Sequence, residues 1–388
     1  MPITARSAMR LVLLFGLVSL FADMTYEGAR SFFGPFLGIL GASGTVVGVV
    51  AGFGELLGYS VRLVSGALSD RTRRYWTMTF LGYGINLLAV PALALAGSWQ
   101  IAAGLIILER FGKGVRTPPR DAMLSHATKQ VGSGWGFGIH EAMDQIGAVL
   151  GPLIVAVVLF VNGDYRQGFA VLLIPALVAL SVLFVARKMY ARPHELEPLS
   201  SPIEGRGYSH RFLFYLTGVA LVAAGFADFA LIGFHFGRSN AVSMEMIPVL
   251  YAVAMGSDAI AALVFGRMFD KIGLAVLVLA VALSSFFAPC VFFGGFWLAA
   301  LGVALWGVGM GAQESVMRAA VTNMVRADRR GTAFGVFNTC YGLAWFAGSA
   351  TMGLLYDFSI PALVAFSVIV QLASLPFLAI ARRSSGCL

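Results

Sequence analysis

The chain has 388 residues, of which 59% are hydrophobic and only 12% charged, and its formal net charge at pH 7 is +8. A mean hydropathy of +0.84 excludes an ordinary soluble domain and indicates a protein whose surroundings are largely lipid. We assign the positive charge to anchoring at anionic lipid headgroups, so membrane lipid is an expected partner and nucleic acid is not. The three cysteines, Cys290, Cys340 and Cys387, show no metal or disulfide spacing.

Apolar stretches long enough for a transmembrane helix recur roughly every 32 residues along the chain. We therefore predict an all-α integral membrane protein with twelve transmembrane helices. The first stretch lacks a small-x-small cleavage site and is interpreted as a retained helix rather than a signal peptide. The predicted spans have approximate centres at Asp23, Glu55, Leu87, Glu109, Gly147, Ala176, Ala224, Asp258, Ala282, Gly311, Ala344 and Gln371.

The distribution of lysine and arginine predicts the orientation in the membrane. An even number of spans puts both termini on the same side, and placing them in the cytoplasm puts most of the 27 basic residues there as well. Only Arg166 and Arg238 then lie in segments on the opposite side. We expect a multi-pass protein of the cytoplasmic (inner) membrane with both termini in the cytoplasm.

One long polar connection, residues 187–211, is rich in proline, glycine and charge and cannot cross a membrane. It predicts an N-terminal six-helix bundle at 1–190, a cytoplasmic linker at 191–210 and a C-terminal six-helix bundle at 211–388. The two halves repeat each other at offsets of about 200 residues. The matched positions are Phe21 to Asp23 with Phe226 to Asp228, Gly66 and Asp70 with Gly266 and Asp270, and Phe137-Gly138 with Phe334-Gly335.

The loop after the second span carries a recognisable motif. The major facilitator superfamily has G-x-x-x-D-R-x-G-R-R at this place, and this chain has Gly66, Asp70, Arg71, Arg73 and Arg74. Arg73 replaces the usual glycine, and residues 266–273 hold a degenerate second copy. The chain resembles this superfamily over essentially its whole length, without an identified subfamily. The resemblance implies two pseudo-symmetric bundles, a binding cavity near the midplane and transport by alternating access.

The repeated motif predicts a gate. Glycine allows helices to approach closely, and an aspartate at the membrane edge can accept hydrogen bonds from a facing helix N-terminus or pair with arginine. The alternative is that these arginines only anchor the cytoplasmic side. With the interbundle pairs expected from spans four, five and ten, the predicted gating residues are Gly66, Asp70, Arg71, Arg74, Arg116, Arg120, Glu141, Asp144, Gly266, Asp270, Lys271, Glu314 and Arg318.

Two further segments resemble family motifs. Arg110 and Gly114 match an R-x-x-x-G motif whose arginine is implicated in coupling in proton-driven members, with Lys113 in place of a common glutamine. Gly147, Gly151 and Pro152 match the first part of a motif associated with exporters, which favours export over uptake. A Gly-x-x-x-Gly pair is also typical of simple close packing of helices.

Ionisable residues inside spans are costly unless they are paired or line a wet cavity. Asp23, Glu27 and Arg30 share one helical face, with a Glu27–Arg30 ion pair as the structural alternative. The predicted solute contacts are Tyr26, Glu27, Arg30 and His235. The predicted proton-coupling residues are Asp23, Glu55, Asp228, Asp258 and Arg110; for Glu55 the alternative is a structural pair with Arg62, and for His235 a surface hydrogen bond.

These features predict a proton-coupled secondary active transporter that moves a small polar or amphipathic solute. We expect no cofactor, a small-molecule or ion substrate, protons as the coupling ion, and a monomer. One alternative is a divalent metal transporter on the same fold, as in ferroportin-like relatives, with His140 and Asp144 as a weak metal pair; the other is a receptor or scaffold that does not transport. The chain lacks P-loop, G-x-S-x-G and H-E-x-x-H motifs, so an enzyme is not expected.

Overall fold

The computed structural model describes residues 5–131, 133–190, 210–324 and 330–383, so the predicted linker lies outside the described residues except for its last residue, His210, which begins a helix. Every regular element of the described part is a helix. The helices are α1 (Ala5–Arg30), α2 (Phe33–Ile39), α3 (Gly44–Thr72), α4 (Tyr75–Ala92), α5 (Trp99–Val131), α6 (Ser133–Asn162), α7 (Tyr165–Val171), α8 (Leu173–Met189), α9 (His210–Gly225), α10 (Phe229–Ser239), α11 (Met246–Ile272), α12 (Ala275–Ser284), α13 (Phe287–Phe293), α14 (Phe296–Ala312), α15 (Arg318–Met324), α16 (Arg330–Phe358) and α17 (Ile360–Arg383). A 3₁₀ turn, Leu93–Leu95, follows α4, and a π-helical turn, Gln313–Met317, joins α14 to α15.

The described helices follow the order of the twelve predicted spans, several of them as two consecutive pieces. Among the described residues, ten segments are long and apolar enough to cross a membrane by length and composition. The remaining two predicted spans correspond to α5 and α16, which have 33 and 29 residues and a more polar composition. The predicted fold class, an all-helical protein of many membrane-spanning helices, is confirmed.

The chain forms two compact units. Unit 1 consists of residues 1–32 and 57–201, and unit 2 consists of residues 33–56 and 202–388. In unit 1, α1 packs against α6 and α8, and α4 packs against α5. In unit 2, α11 packs against α14, α9 against α16 and α17, and α2 against α10. Helix α3 therefore begins in unit 2 and ends in unit 1.

Segment 33–56 is held in unit 2 by a helix cap supplied from a distant part of the sequence. The carboxylate of Asp357 accepts hydrogen bonds from the backbone N–H groups of Gly44 and Thr45, at 2.9 and 2.8 Å, and from the Thr45 hydroxyl at 2.6 Å. These N–H groups belong to the first turn of α3, where no intrahelical acceptor exists. A negative charge at that end also interacts favourably with the helix dipole.

The seventh span is interrupted between α9 and α10, and side chains satisfy the backbone groups that the break releases. Ser367 and Gln371 donate to the carbonyl oxygen of Gly225, at 2.7 and 3.1 Å, and the Trp306 indole donates to that of Ala227 at 2.8 Å. Asp228 caps α10 by accepting from the backbone N–H of Ala230 at 3.0 Å. Such partners are required because lipid offers none.

The two copies of the loop motif end their helices at residues with nearly the same positive φ. Gly273, after α11, has φ +59°, and Arg73, after α3, has φ +56°. In each copy the backbone N–H bonds to the carbonyl four residues earlier, at 2.9 Å for Gly273 and 2.8 Å for Arg73. Arginine therefore occupies a left-handed position that glycine adopts without a steric penalty.

Candidate functional site: a buried charge cluster in unit 1

Two glycines bring α6 unusually close to α1. A Cβ atom on Gly147 would collide with the carbonyl oxygen of Leu20, and one on Gly151 would collide with that of Met24. The Gly-x-x-x-Gly pair thus has the close-packing role that its spacing also permitted. This approach determines which polar side chains of the two helices meet.

Asp23 of α1 and Asp144 of α6 meet at this contact. Their side chains lie within hydrogen-bonding distance of each other, although 121 residues separate them in the sequence. Asp23 is buried, with 3% of its surface exposed, and Asp144 is partly buried. Two carboxylates can share a hydrogen bond only when one of them carries a proton, and two like charges at this distance repel strongly. The geometry is therefore that of a carboxyl pair suited to hold one proton.

Lys113 of α5 lies beside this pair. Its ammonium nitrogen is 3.7 Å from a carboxylate oxygen of Glu27 and 3.9 Å from the ring centre of Tyr26. Its side chain is 20% exposed, compared with 8% for Arg30 and Arg110 and 13% for Arg120. The carboxylate and the aromatic face both stabilise the ammonium group in these apolar surroundings.

Arg116 lies deeper in unit 1, with only 1% of its surface exposed. Its guanidinium carbon is 4.3 Å from the ring centre of Tyr83 and 5.4 Å from that of Tyr26. The Nε atom donates to the Asn86 side chain at 3.2 Å, whereas the buried Nη1 atom has no hydrogen-bond partner. Aromatic faces therefore provide much of the stabilisation of this buried cation.

Asn86 links Arg116 to a second ion pair. The Asn86 amide donates to a side-chain oxygen of Glu109 at 2.6 Å, and Glu109 lies 3.4 Å from the Nε atom of Arg110. Asn86 and Glu109 are almost completely buried. The predicted coupling arginine, Arg110, is thus paired with its neighbour in sequence, and a buried amide connects that pair with Arg116.

A polar chain also extends from α5 through α1 to α6. Arg120 donates to the Ser19 hydroxyl at 3.2 Å and pairs with Asp121 at 2.7 Å. The same hydroxyl is hydrogen-bonded to Nε2 of His140 at 2.9 Å. His140 lies one helical turn before Asp144, so this chain ends next to the carboxyl pair.

The predicted solute contacts of the first span lie in the same cluster. Tyr26, Glu27 and Arg30 are 4%, 7% and 7% exposed. Arg30 lies 3.8 Å from Glu27, which is the internal ion pair that the sequence offered as an alternative. Glu27 therefore interacts with both Arg30 and Lys113, and its charge is shared between two cations.

The other predicted coupling and contact residues lie in unit 2. Asp228 serves as the cap of α10, and Asp258 is buried against Gly311, where an added Cβ would lie 2.9 Å from the carboxylate. His235 is hydrogen-bonded through Nδ1 to the Tyr356 hydroxyl at 3.2 Å and packs on the Phe292 ring. Glu55 is partly buried in α3, on the unit 2 side of the boundary, whereas Arg62 belongs to unit 1.

The predicted gating residues fall into two groups. Arg116, Arg120 and Asp144 belong to the buried cluster of unit 1, whereas the charged residues of the two loop motifs are exposed, with Asp70 accepting from the Tyr75 hydroxyl at 3.3 Å. Gly66 and Gly266 have room for a Cβ atom. The other exposed members are Arg71, Arg74, Glu141, Asp270, Lys271, Glu314 and Arg318. Their role as a gate stays a prediction.

The sequence did not single out five members of the cluster: Ser19, Tyr83, Asn86, Glu109 and Asp121. The sequence did contain a signal for two of them, because Asn86 and Glu109 are polar residues in the middle of predicted membrane spans.

Within the described ranges no group of three histidine, cysteine or acidic side chains is arranged to hold a metal ion.

Comparisons with known proteins identify the family. The sequence profile of the Major Facilitator Superfamily matches residues 15–349 and 210–385. An uncharacterized protein of Mycobacterium tuberculosis is 41% identical over 378 residues, covering 96% of this chain and 92% of that protein. An uncharacterized MFS-type transporter of Methanocaldococcus jannaschii is 27% identical, covering 90% of this chain and 89% of its own.

A solved structure gives the same architecture. A mutant of the nucleoside transporter NupG superposes with a TM-score of 0.77 at 11% sequence identity, covering 95% of this chain and 99% of that chain. At this identity the likeness concerns the fold alone. The residue motifs, the profile match and the relatives lead to one conclusion: this multi-pass membrane protein belongs to the Major Facilitator Superfamily of transporters.

Proposed function

We propose that this protein is a proton-coupled secondary active transporter, which moves a small polar or amphipathic solute across the cytoplasmic membrane by alternating access. The family supplies the transporter class. The observation that supports proton coupling is the contact between Asp23 and Asp144 in the buried cluster of unit 1. A carboxyl pair that gains and loses one proton is a suitable carrier of the coupling ion.

The surroundings of the pair support this assignment. Lys113 and Arg116 on α5 interact electrostatically with Asp23, and Arg120 and Lys113 interact with Asp144. A change in the charge of the pair therefore acts directly on α5, which carries the cations of the site. Asp228 is less suited to the same task, because its carboxylate already caps α10.

The preference for export rests on a single sequence feature, the glycine pair of the exporter-associated motif. Because Gly147 and Gly151 allow α6 to pack against α1, these glycines have a packing role in an importer as well as in an exporter. Export is therefore kept as the hypothesis to be tested, with uptake as the other outcome.

Reconstitution in liposomes that contain a pH-sensitive dye tests this proposal. Organic anions, organic cations, neutral lipophilic compounds and divalent metal ions are each imposed as a gradient. We expect one class to drive proton movement, and we expect the Asp144→Asn variant to lose proton movement while downhill flux of the labelled solute continues. The sign of the pH change distinguishes symport from antiport, and thus export from uptake under a proton gradient.

A matched control removes a carboxyl group elsewhere. Glu245, the N-cap position of α11, makes no side-chain capping hydrogen bond, so Glu245→Gln is expected to transport like the wild type. Solute flux in the wild-type protein without any proton movement would contradict proton coupling. Unchanged proton movement in Asp144→Asn would contradict the assignment of the carboxyl pair.

A further inference from the structure

The charges of the unit 1 cluster do not balance when the carboxyl pair holds its proton. The cluster, within the described residues, contains the cations Arg30, Arg110, Lys113, Arg116 and Arg120 and the carboxylates Asp23, Glu27, Glu109, Asp121 and Asp144. With every carboxylate ionised, the numbers are equal. One proton shared between Asp23 and Asp144 leaves one positive charge without a balancing negative charge.

The excess charge falls on the part of the cluster nearest the pair. Arg30, Arg110 and Arg120 each lie within 4 Å of a carboxylate oxygen, of Glu27, Glu109 and Asp121 respectively. Lys113 shares Glu27 with Arg30, and Arg116 faces tyrosine rings and an amide in place of a carboxylate. An uncompensated charge in such surroundings is costly, so an anion that approaches Lys113 and Arg116 is attracted to them.

The two cations are also equipped for recognition. Lys113 is partly exposed, so its ammonium group can contact a ligand. The Nη1 atom of Arg116 is a buried donor without a hydrogen-bond partner, and the guanidinium group that carries it lies against the rings of Tyr26 and Tyr83. A ligand oxygen would supply the missing hydrogen-bond acceptor, and aromatic faces next to it favour a ligand with an apolar body.

We propose that Lys113 and Arg116 bind the anionic group of the transported solute, and that the solute is an organic monoanion bound together with one proton at the Asp23–Asp144 pair. This inference rests on the proposed proton-coupled transport and names its substrate class. Coupling is reciprocal: the proton creates the positive charge that attracts the anion, and the anion stabilises the protonated pair.

The sign of the pH dependence follows from this charge balance. At low pH the pair is protonated and the anion binds tightly; as the pair loses its proton, affinity falls by up to about ten-fold per pH unit, the limit for one linked proton. The charged and titratable groups that face the pair are Tyr26 on α1, Lys113, Arg116 and Arg120 on α5, and His140 on α6, and Glu27 on α1 faces Tyr26 and Lys113. Of these, His140 is the one whose ordinary titration overlaps a neutral pH range, and it needs a separate control.

Binding to the purified full-length protein in detergent tests the inference without requiring transport. The probes are phenylacetate, its neutral amide phenylacetamide and the cation phenethylamine, which share an aromatic body and differ in charge. We expect only phenylacetate to bind measurably by calorimetry, and more tightly at pH 6 than at pH 8. Equal binding of the three probes, or selective binding of the amine, would overturn the proposal.

Three variants and one control variant separate the contributions. Lys113→Gln is expected to weaken phenylacetate binding by roughly ten-fold or more, as for the loss of one partner of a buried charge contact, whereas Lys188→Gln at the exposed end of α8 leaves it unchanged. Asp144→Asn fixes the charge of the protonated pair, so affinity should stay high and become independent of pH. His140→Gln should keep the pH dependence; its loss in this variant would assign the effect to the histidine and contradict the carboxyl pair.

The outcomes are distinguishable from a failure of the proposed function. If liposomes show proton movement driven by a cationic or neutral solute, proton coupling stands and the anion site is wrong. If phenylacetate binds with the same affinity at both pH values and its flux moves no protons, an anion site exists, but both proton coupling and the linkage proposed here are refuted.

Discussion

At the scale of single residues, the two turns that follow α3 and α11 show how a repeated motif tolerates a substitution. Both turns need a residue with positive φ, and glycine meets this need at 273 while arginine meets it at 73. The cost of a left-handed conformation in a non-glycine residue is about 1–2 kcal/mol, which surrounding contacts must offset. The positive φ of the motif is therefore kept without its usual residue.

This comparison gives a prediction about stability. Gly273→Ala is expected to lower the free energy of unfolding by about 1–3 kcal/mol, because alanine is strained at φ +59° and ψ −143°. Arg73→Gly is expected to cause no loss, because relief of strain offsets the greater flexibility of glycine. Thermal unfolding of the purified variants in one detergent measures both. Similar losses in the two variants would show that side-chain contacts, and not φ, dominate these turns.

At the scale of helices, the sequence predicted where the membrane spans lie but not which distant side chains contact them. Apolar period and polar linkers were sufficient to locate the spans, because lipid requires about 20 apolar residues for each crossing. The matched segments Phe21 to Asp23 and Phe226 to Asp228 nevertheless differ, since the first continues α1 and the second interrupts the seventh span. The difference depends on distant partners, Trp306, Ser367 and Gln371, which local sequence does not reveal.

Packing of α6 on α1 gives a second prediction. Gly147→Ala is expected to force the helices apart, because the new Cβ meets the backbone of Leu20, and to destabilise the protein by about 1–3 kcal/mol. It should also weaken proton coupling by separating Asp144 from Asp23. The control is Gly104→Ala on α5, where nothing lies within 4 Å of an added Cβ. A Gly147→Ala protein as stable and as well coupled as the control would contradict the close-packing account.

At the scale of the whole molecule, membership of the family was predictable from motifs, whereas the composition of the charge cluster was only partly so. Asp23 was predicted as a coupling residue from its depth in the first span. Asp144 was assigned to gating, as one of the interbundle pairs expected from span five, and its contact with Asp23 was not predicted because the two lie 121 residues apart. Asn86 and Glu109 lie in spans whose polar residues had no obvious match in sequence. Their pairing becomes visible only when α4 and α5 are packed side by side.

Infrared difference spectroscopy of the protein in lipid can detect the proton that Asp23 and Asp144 are proposed to share. A protonated carboxyl group has a carbonyl stretching band that an ionised one lacks, so titration from low to high pH should remove a band from the wild-type spectrum. We predict that this band is absent in both Asp23→Asn and Asp144→Asn and present in the Glu245→Gln control. A band that persists unchanged in either aspartate variant would show that protonation does not require both carboxyl groups and would contradict a proton shared by Asp23 and Asp144.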